Sequence, residues 1–232
     1  MKTSFWTKLL DLVSPRLCVA CGQRLSPEES VLCPRCMFNL PLTGYDSQPY
    51  DNYMAKLFWG HFPLEKAVAM FFYQPKTEPS EIIYSMKYHG RPETAHDMGR
   101  IFARQLLTAG FFDGIDGLVP VPLTRKRRRQ RGYNQAEEIA CGISKATGLP
   151  IYNKVIERYD FSISQTHLNT AQRRENVENA FRLTNGERIA HKHLLLIDDV
   201  ITTGSTIIAC AQQLTQANDV KISVLSLGFT KP

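Results

Sequence analysis

No stretch of this 232-residue sequence approaches the roughly 20 apolar residues that a membrane-spanning helix needs. An uninterrupted apolar core and a small-residue cleavage site are also missing between Met1 and Val13, which argues against a secretory leader. There, Phe5, Trp6, Leu9, Leu10 and Val13 fall on one helical face, the pattern of a short amphipathic helix packed on the body; membrane contact is the alternative. Internal repeats and low-complexity tracts are lacking. With 43% hydrophobic and 22% charged residues, the composition is that of a globular protein rather than a disordered one. The length suits one substantial α/β domain and a small appendage. Acid is in slight deficit: the formal charge of +6 and a pI near 9.0 permit an anionic partner such as nucleic acid or a diphosphate, without demanding one. A cytoplasmic location is the expectation.

The 6 cysteines are unevenly placed. Cys18, Cys21, Cys33 and Cys36 form two CxxC pairs, each able to turn two thiolates toward one ion, with Gly22 suited to the tight turn after Cys21. A disulfide or redox pair is the competing reading, which reducing conditions disfavour. Four thiolates leave no open coordination position, so a zinc ion here would be structural. Cys141 and Cys210 stand alone in predicted helices, where buried packing is the expectation. From about Leu40 to Lys66, prolines and glycines predict an irregular connection, with Tyr45, Tyr50, Tyr53, Phe58 and Trp59 packing it down.

The most informative segment runs from His193 to Thr206. Leu194 to Ile197 is a short apolar run, the pattern of a strand buried on both faces of a parallel sheet. Asp198 and Asp199 follow, then a turn of Thr202, Thr203, Gly204, Ser205 and Thr206, then a helical stretch from Ile207 to Leu214. Ligands of open α/β sheets bind beyond the carboxyl ends of the strands. A hydroxyl-rich turn entering a helix offers unpaired N–H groups to a phosphate, and adjacent carboxylates suit sugar hydroxyls or a divalent cation. Either half alone would equally fit a capped turn with solvated acids.

Around this segment, strands are predicted at Ala67–Tyr73, Asp116–Pro122, Ile151–Tyr159 and Val220–Phe229, and helices at Ser80–Lys87, Pro92–Leu107 and Asn134–Thr147. Their alternation predicts a mostly parallel sheet with right-handed crossovers. Val119-Pro120-Val121-Pro122 reads as a rigid turn or as a loop whose amides lie along a diphosphate. The run Arg125 to Arg131 reads as a mobile loop closing over phosphates, as solvated surface, or as a contact for a nucleic-acid backbone. Gln165, Leu168, Arg173, Arg174 and Asn176 form a polar segment whose spacing fits a site and a plain helix surface equally.

The order of apolar strand, Asp-Asp, Val-Ile-Thr-Thr-Gly and helix resembles the diphosphate-sugar motif of type I phosphoribosyltransferases. With the CxxC pairs, Tyr84 to Gly90, Val119 to Pro122, Arg131-Gly132-Tyr133-Asn134-Gln135, Gln165 to Leu168, Arg173 to Val177 and Ala180-Phe181, nearly the whole chain is similar to the ComF/GntX family, the phosphoribosyltransferase-like competence proteins. The resemblance implies a type I phosphoribosyltransferase-like parallel sheet flanked by helices (46–232) behind a small N-terminal segment, 1–45, with an amphipathic helix and a four-cysteine zinc finger. It implies a role in natural transformation, with 5-phosphoribosyl 1-diphosphate (PRPP) and Mg²⁺ as ligands. Single-stranded DNA and the competence helicase are the implied partners, the latter bringing the protein to the inner membrane. In a phosphoribosyltransferase of unknown acceptor, Asp198 and Asp199 would hold the ribose hydroxyls, and Thr202, Thr203, Gly204, Ser205 and Thr206 would cradle the 5′-phosphate. Val121, Lys87 and Arg131 would approach the diphosphate. A non-catalytic adaptor that senses PRPP or binds DNA is the alternative.

Overall fold

The computed structural model describes residues 15–159 and 180–231. The amphipathic N-terminal face and the segment containing Gln165, Leu168, Arg173, Arg174 and Asn176 lie outside the described residues.

Four parallel strands form the main sheet, in the order β1 (Leu64–Phe72), β6 (Lys221–Phe229), β5 (His193–Ile201), β2 (Gly117–Pro120). Leu194 to Ile197 are fully buried, as a continuous apolar run between two neighbouring strands requires. The strand runs on through Ile201, so the two acids are part of β5 rather than successors to it. A second, antiparallel ribbon pairs β3 (Ile156–Arg158) with β4 (Phe181–Leu183). The strand expected over Ile151–Tyr159 shrinks to β3 plus one bridge from Ile151 to Leu118, because Pro150 and a turn at Asn153–Lys154 interrupt it.

Two short helices, α1 (Pro34–Phe38) and α2 (Tyr53–Lys56), lie in the N-terminal part. They are followed by α3 (Ser80–Tyr88), α4 (Pro92–Thr108), α5 (Arg125–Arg131), α6 (Gln135–Thr147) and α7 (Ser205–Leu214). Asn134 caps α6 by accepting from the Ala136 amide, and Gly148 ends it in the left-handed conformation. Helices α4 and α6 touch backbone to backbone. A Cβ at Gly142 would lie 1.9 Å from the His96 carbonyl oxygen, and one at Gly99 would lie 2.4 Å from that of Ile139.

Three expectations are corrected. The arginine run is a helix and not a loop: Thr124 caps α5 by accepting from the Arg127 amide, Gly132 at φ 81° stops it, and arginine is itself a good helix former. Tyr50, Tyr53 and Trp59 are exposed, while Tyr45 and Phe58 are buried. The Lys56 ammonium sits over the Tyr53 and Trp59 rings, keeping them at the surface. Cys210 is buried as expected, but Cys141 is exposed on α6.

Candidate functional site

The carboxyl ends of β5 and β2 open into a cleft of about 360 Å³. Asp198 and Asp199 enter it from β5, Thr202 and Thr206 from the following turn and α7, Val121 from the end of β2, Lys87 from α3 and Arg131 from α5. A smaller recess of about 40 Å³ adjoins it, lined by Asp198 and by Thr202, Thr203, Gly204, Ser205 and Thr206. Every phosphate- and sugar-site residue expected from the sequence thus borders one continuous depression.

The turn is built for close approach. Gly204 adopts φ 75° as the residue before α7, a conformation that favours glycine, and a Cβ there would lie 2.9 Å from the Phe58 ring. The segment after α2 therefore backs the turn from outside. The first-turn amides of α7 have no partner within the helix and face the recess with the positive end of its dipole. Thr203 and Ser205 hydroxyls pair at 2.9 Å across it.

Opposite charges face one another in the cleft. Lys87 Nζ lies 3.0 Å from Asp199 Oδ1, both side chains being largely buried. Asp198 accepts from the Asp199 amide at 2.8 Å. Its carboxyl is nevertheless pushed up to about 7, first by burial and then by the neighbouring Asp199 carboxylate; the Asp199 amide, Lys87 and Arg158 pull the other way. An acid with a raised pKa beside a lysine-paired carboxylate, faced by further cations, suits hydroxyl recognition and cation binding.

The cleft also contains residues to which sequence reasoning gave no site role, Tyr73, Asn134, Gln135 and Arg158, and Arg127 from the run expected to close over phosphates. Asn134 and Gln135 are almost wholly buried. Asn134 donates to the Val121 carbonyl at 3.0 Å, and Gln135 donates to the Met86 carbonyl at 3.0 Å while accepting from Arg131 at 2.7 Å. Tyr133 donates to the same Met86 carbonyl. One motif at the start of α6 therefore ties the Lys87-bearing turn of α3, the end of β2 and the arginine helix together. The signal was the unbroken polar string Tyr133-Asn134-Gln135 entering an apolar helix.

At the other end of the chain, the sulfurs of Cys18, Cys21, Cys33 and Cys36 all lie within 4.8 Å of one another, with Cys21 and Cys33 3.8 Å apart. A tetrahedral zinc with bonds of about 2.3 Å needs sulfurs about 3.8 Å apart, so the donor set fits. Gly22, at φ 73°, closes the first turn by donating to the Cys18 carbonyl. Burial raises the Cys18 thiol, but the amides of Cys33, Cys21 and Ala20 outweigh it and hold the group down to about 7. Burial and the other cysteines push Cys36 up, the mark of thiolates gathered without a countercharge. No helix among the described residues is long and apolar enough to cross a membrane.

Among the curated proteins that match over most of the chain are two named DNA utilization protein YhgH. That of Salmonella typhi is 30% identical over 217 residues, covering 92% of this chain and 90% of its own. That of Escherichia coli K12 is 29% identical over the same shares. Competence protein F of Haemophilus influenzae is 34% identical over 114 residues, covering 49% of this chain and 50% of its own. No protein-family model matches. Among solved structures, adenine phosphoribosyltransferase from Leishmania tarentolae aligns with 82% of this chain and 94% of its own at 13% identity and a TM-score of 0.37. The glutamine PRPP amidotransferase of B. subtilis, complexed with ADP and GMP, aligns with 56% of this chain and 25% of its own, at 17% identity and the same TM-score.

Proposed function

Since the chain belongs to the ComF/GntX family, we propose that its cleft binds PRPP and that the protein acts in natural transformation, handling incoming single-stranded DNA in the cytoplasm beside the competence helicase. The observation that carries the reading is the convergence of two carboxylates, a hydroxyl-rich helix entrance and four cations on one depression at the strand ends. The recess, with its unpaired amides, takes the 5′-phosphate through Thr202, Thr203, Gly204, Ser205 and Thr206. Asp198 and Asp199 hold the ribose hydroxyls. Lys87, Arg127 and Arg131 neutralise the diphosphate, and Val121 lines its path. Mg²⁺ held with the diphosphate would supply further charge neutralisation as positive charge builds at the anomeric carbon. Transfer of the phosphoribosyl group to an acceptor is the reaction such a site performs.

Entry of the diphosphate requires Lys87 to exchange its bond to Asp199 for phosphate oxygens. That exchange frees Asp199 for the ribose, so the two ends of the ligand assist each other. The four cysteines would hold a structural zinc that ties together the chain around Cys18 to Cys36, within the small segment 1–45 that we set apart from the larger domain, 46–232.

The test is thermal stabilisation by PRPP with Mg²⁺. A rise in melting temperature that grows with ligand concentration is expected. Asp199→Asn should abolish that rise, and any turnover with it. No shift in the unaltered protein would overturn the reading. A second reading, an adaptor that senses PRPP without catalysis, is favoured by the exposure of α5 from Arg125 to Gln130. It expects PRPP binding without PRPP consumption.

A further inference from the structure

Beside the ribose-phosphate cleft lies a larger one of about 720 Å³, lined by Lys87, Tyr88, Gly90, Arg127, Gln130 and Arg131. It shares Lys87, Arg127 and Arg131 with the first cleft, and the function proposed above gives no role to Tyr88, Gly90 or Gln130. Tyr88 gives it one aromatic lining residue. Tyr84 and Tyr88, one turn apart on α3, bring their ring centroids to 4.5 Å, and His89 adds an edge contact to Tyr84 at 5.6 Å. These rings are not core residues, for Tyr84 is 50% and Tyr88 63% exposed. Its wall is cationic, with the Arg131 guanidinium 5.9 Å from the centre of the Tyr88 ring.

An exposed aromatic face bordered by guanidinium groups has a defined complement: a flat ring carrying an anion. A nucleotide has both, its base stacking on tyrosine and its phosphate meeting arginine. The exposed basic residues that continue along α5, among them Lys126 and Arg129, extend the positive surface beyond what one phosphate needs. That extension favours a strand over a free nucleotide. Stacking requires an unpaired base face, so the strand is single. We propose that Tyr88, backed by Tyr84, is a base-stacking subsite for single-stranded nucleic acid, and that the strand competes with PRPP for Lys87, Arg127 and Arg131, which line both clefts. The competition rests on the PRPP reading of the first cleft; the stacking subsite does not.

Binding of a fluorescent oligothymidylate to the full chain, followed by anisotropy, tests both parts. Tyr88→Ala should weaken binding about tenfold or more, within what base–aromatic stacking supports, while Tyr88→Phe should keep it. Saturating PRPP with Mg²⁺ should weaken strand binding to the unaltered protein severalfold, and Tyr88→Ala should retain its thermal response to PRPP. Equal strand affinity in Tyr88→Ala would overturn the subsite. Thymidine monophosphate that displaces the strand as well as the oligonucleotide does would overturn the assignment to a strand. Strand affinity unmoved by PRPP, in a protein that PRPP does stabilise, would overturn the competition. If PRPP fails to stabilise the protein, the reading of the first cleft falls, and a loss in Tyr88→Ala would still support the subsite.

Discussion

Replacing Asp198 by asparagine should make the protein more stable and less able to bind its ligand. The carboxyl rises from 3.8 to about 7 because burial and the Asp199 carboxylate disfavour its charge. The unfolded chain ionises near 3.9, so between about pH 4 and 7 the folded state holds the extra proton. The contribution of this group to stability is therefore most favourable at low pH. It declines as pH rises, and the full penalty of the buried charge is present above about pH 7. A rise from 3.8 to about 7 corresponds to about 4 kcal/mol. Asp198 is only half-buried as a residue, and solvent near it screens the ionised form, leaving an expected gain of about 2–3 kcal/mol for Asp198→Asn at pH 8. Urea unfolding of both proteins in magnesium-free buffer at pH 5 and pH 8 measures it. The variant should be more stable at pH 8 by that amount, with roughly a third of the difference left at pH 5, because the penalty accrues by about 1.4 kcal/mol per pH unit from about pH 4 upward. The same variant should lose its thermal response to PRPP. Equal stabilities at both pH values, or a variant weaker at pH 8, would refute the argument that Asp198 is held ionised against its surroundings.

Gly142→Ala should destabilise the fold by about 3 kcal/mol, because its methyl group would enter the backbone of α4 and the obstructing atoms are the His96 carbonyl and the Arg100 amide; an unchanged melting temperature would show that α4 and α6 separate easily. Metal analysis should find zinc bound to the four cysteines. Chelation or Cys33→Ser should release the zinc and lower the melting temperature, whereas Asp199→Asn should leave the zinc content unchanged, which separates the structural ion from the ligand site.

The sequence was most legible where one segment carried both a fold signal and a chemical one. Leu194 to Ile197, the acids after them and the hydroxyl turn specify strand, site and helix within one short segment, and the observed β5, recess and α7 follow that order. Helix α6 was equally clear, since Asn134 and Gly148 mark its ends. Legibility failed where structure depends on remote partners. Gln135 meets Met86 across 49 residues of sequence, and nothing local foretells that contact. The arginine run misled because its charge pattern suggests solvated chain, whereas Thr124, Gly132 and the pairing of Arg128 with Glu137 at 3.0 Å make it a helix. Aromatic residues were over-assigned to the interior. Lysine shelter keeps Tyr53 and Trp59 outside, and the stacked pair on α3 stays open to solvent.

The acids of the cleft and its two arginines on α5 are mounted on parts of very different firmness. Along Leu194 to Ile197, β5 is held by strands on both sides, so opening the neighbourhood of the acids means unravelling the sheet. Helix α5 has no buried residue and is pinned by one cap, one glycine stop and a few side-chain bonds. Mild denaturant or warming should therefore release Arg127 and Arg131 first and leave the carboxylates, and Lys87 on α3, in place. Affinity for anions would fade well before the fold does, and amide exchange would rank α5 far ahead of β5. The protein could thus give up a polyanion by melting 7 residues, without disturbing the sheet that carries its acids.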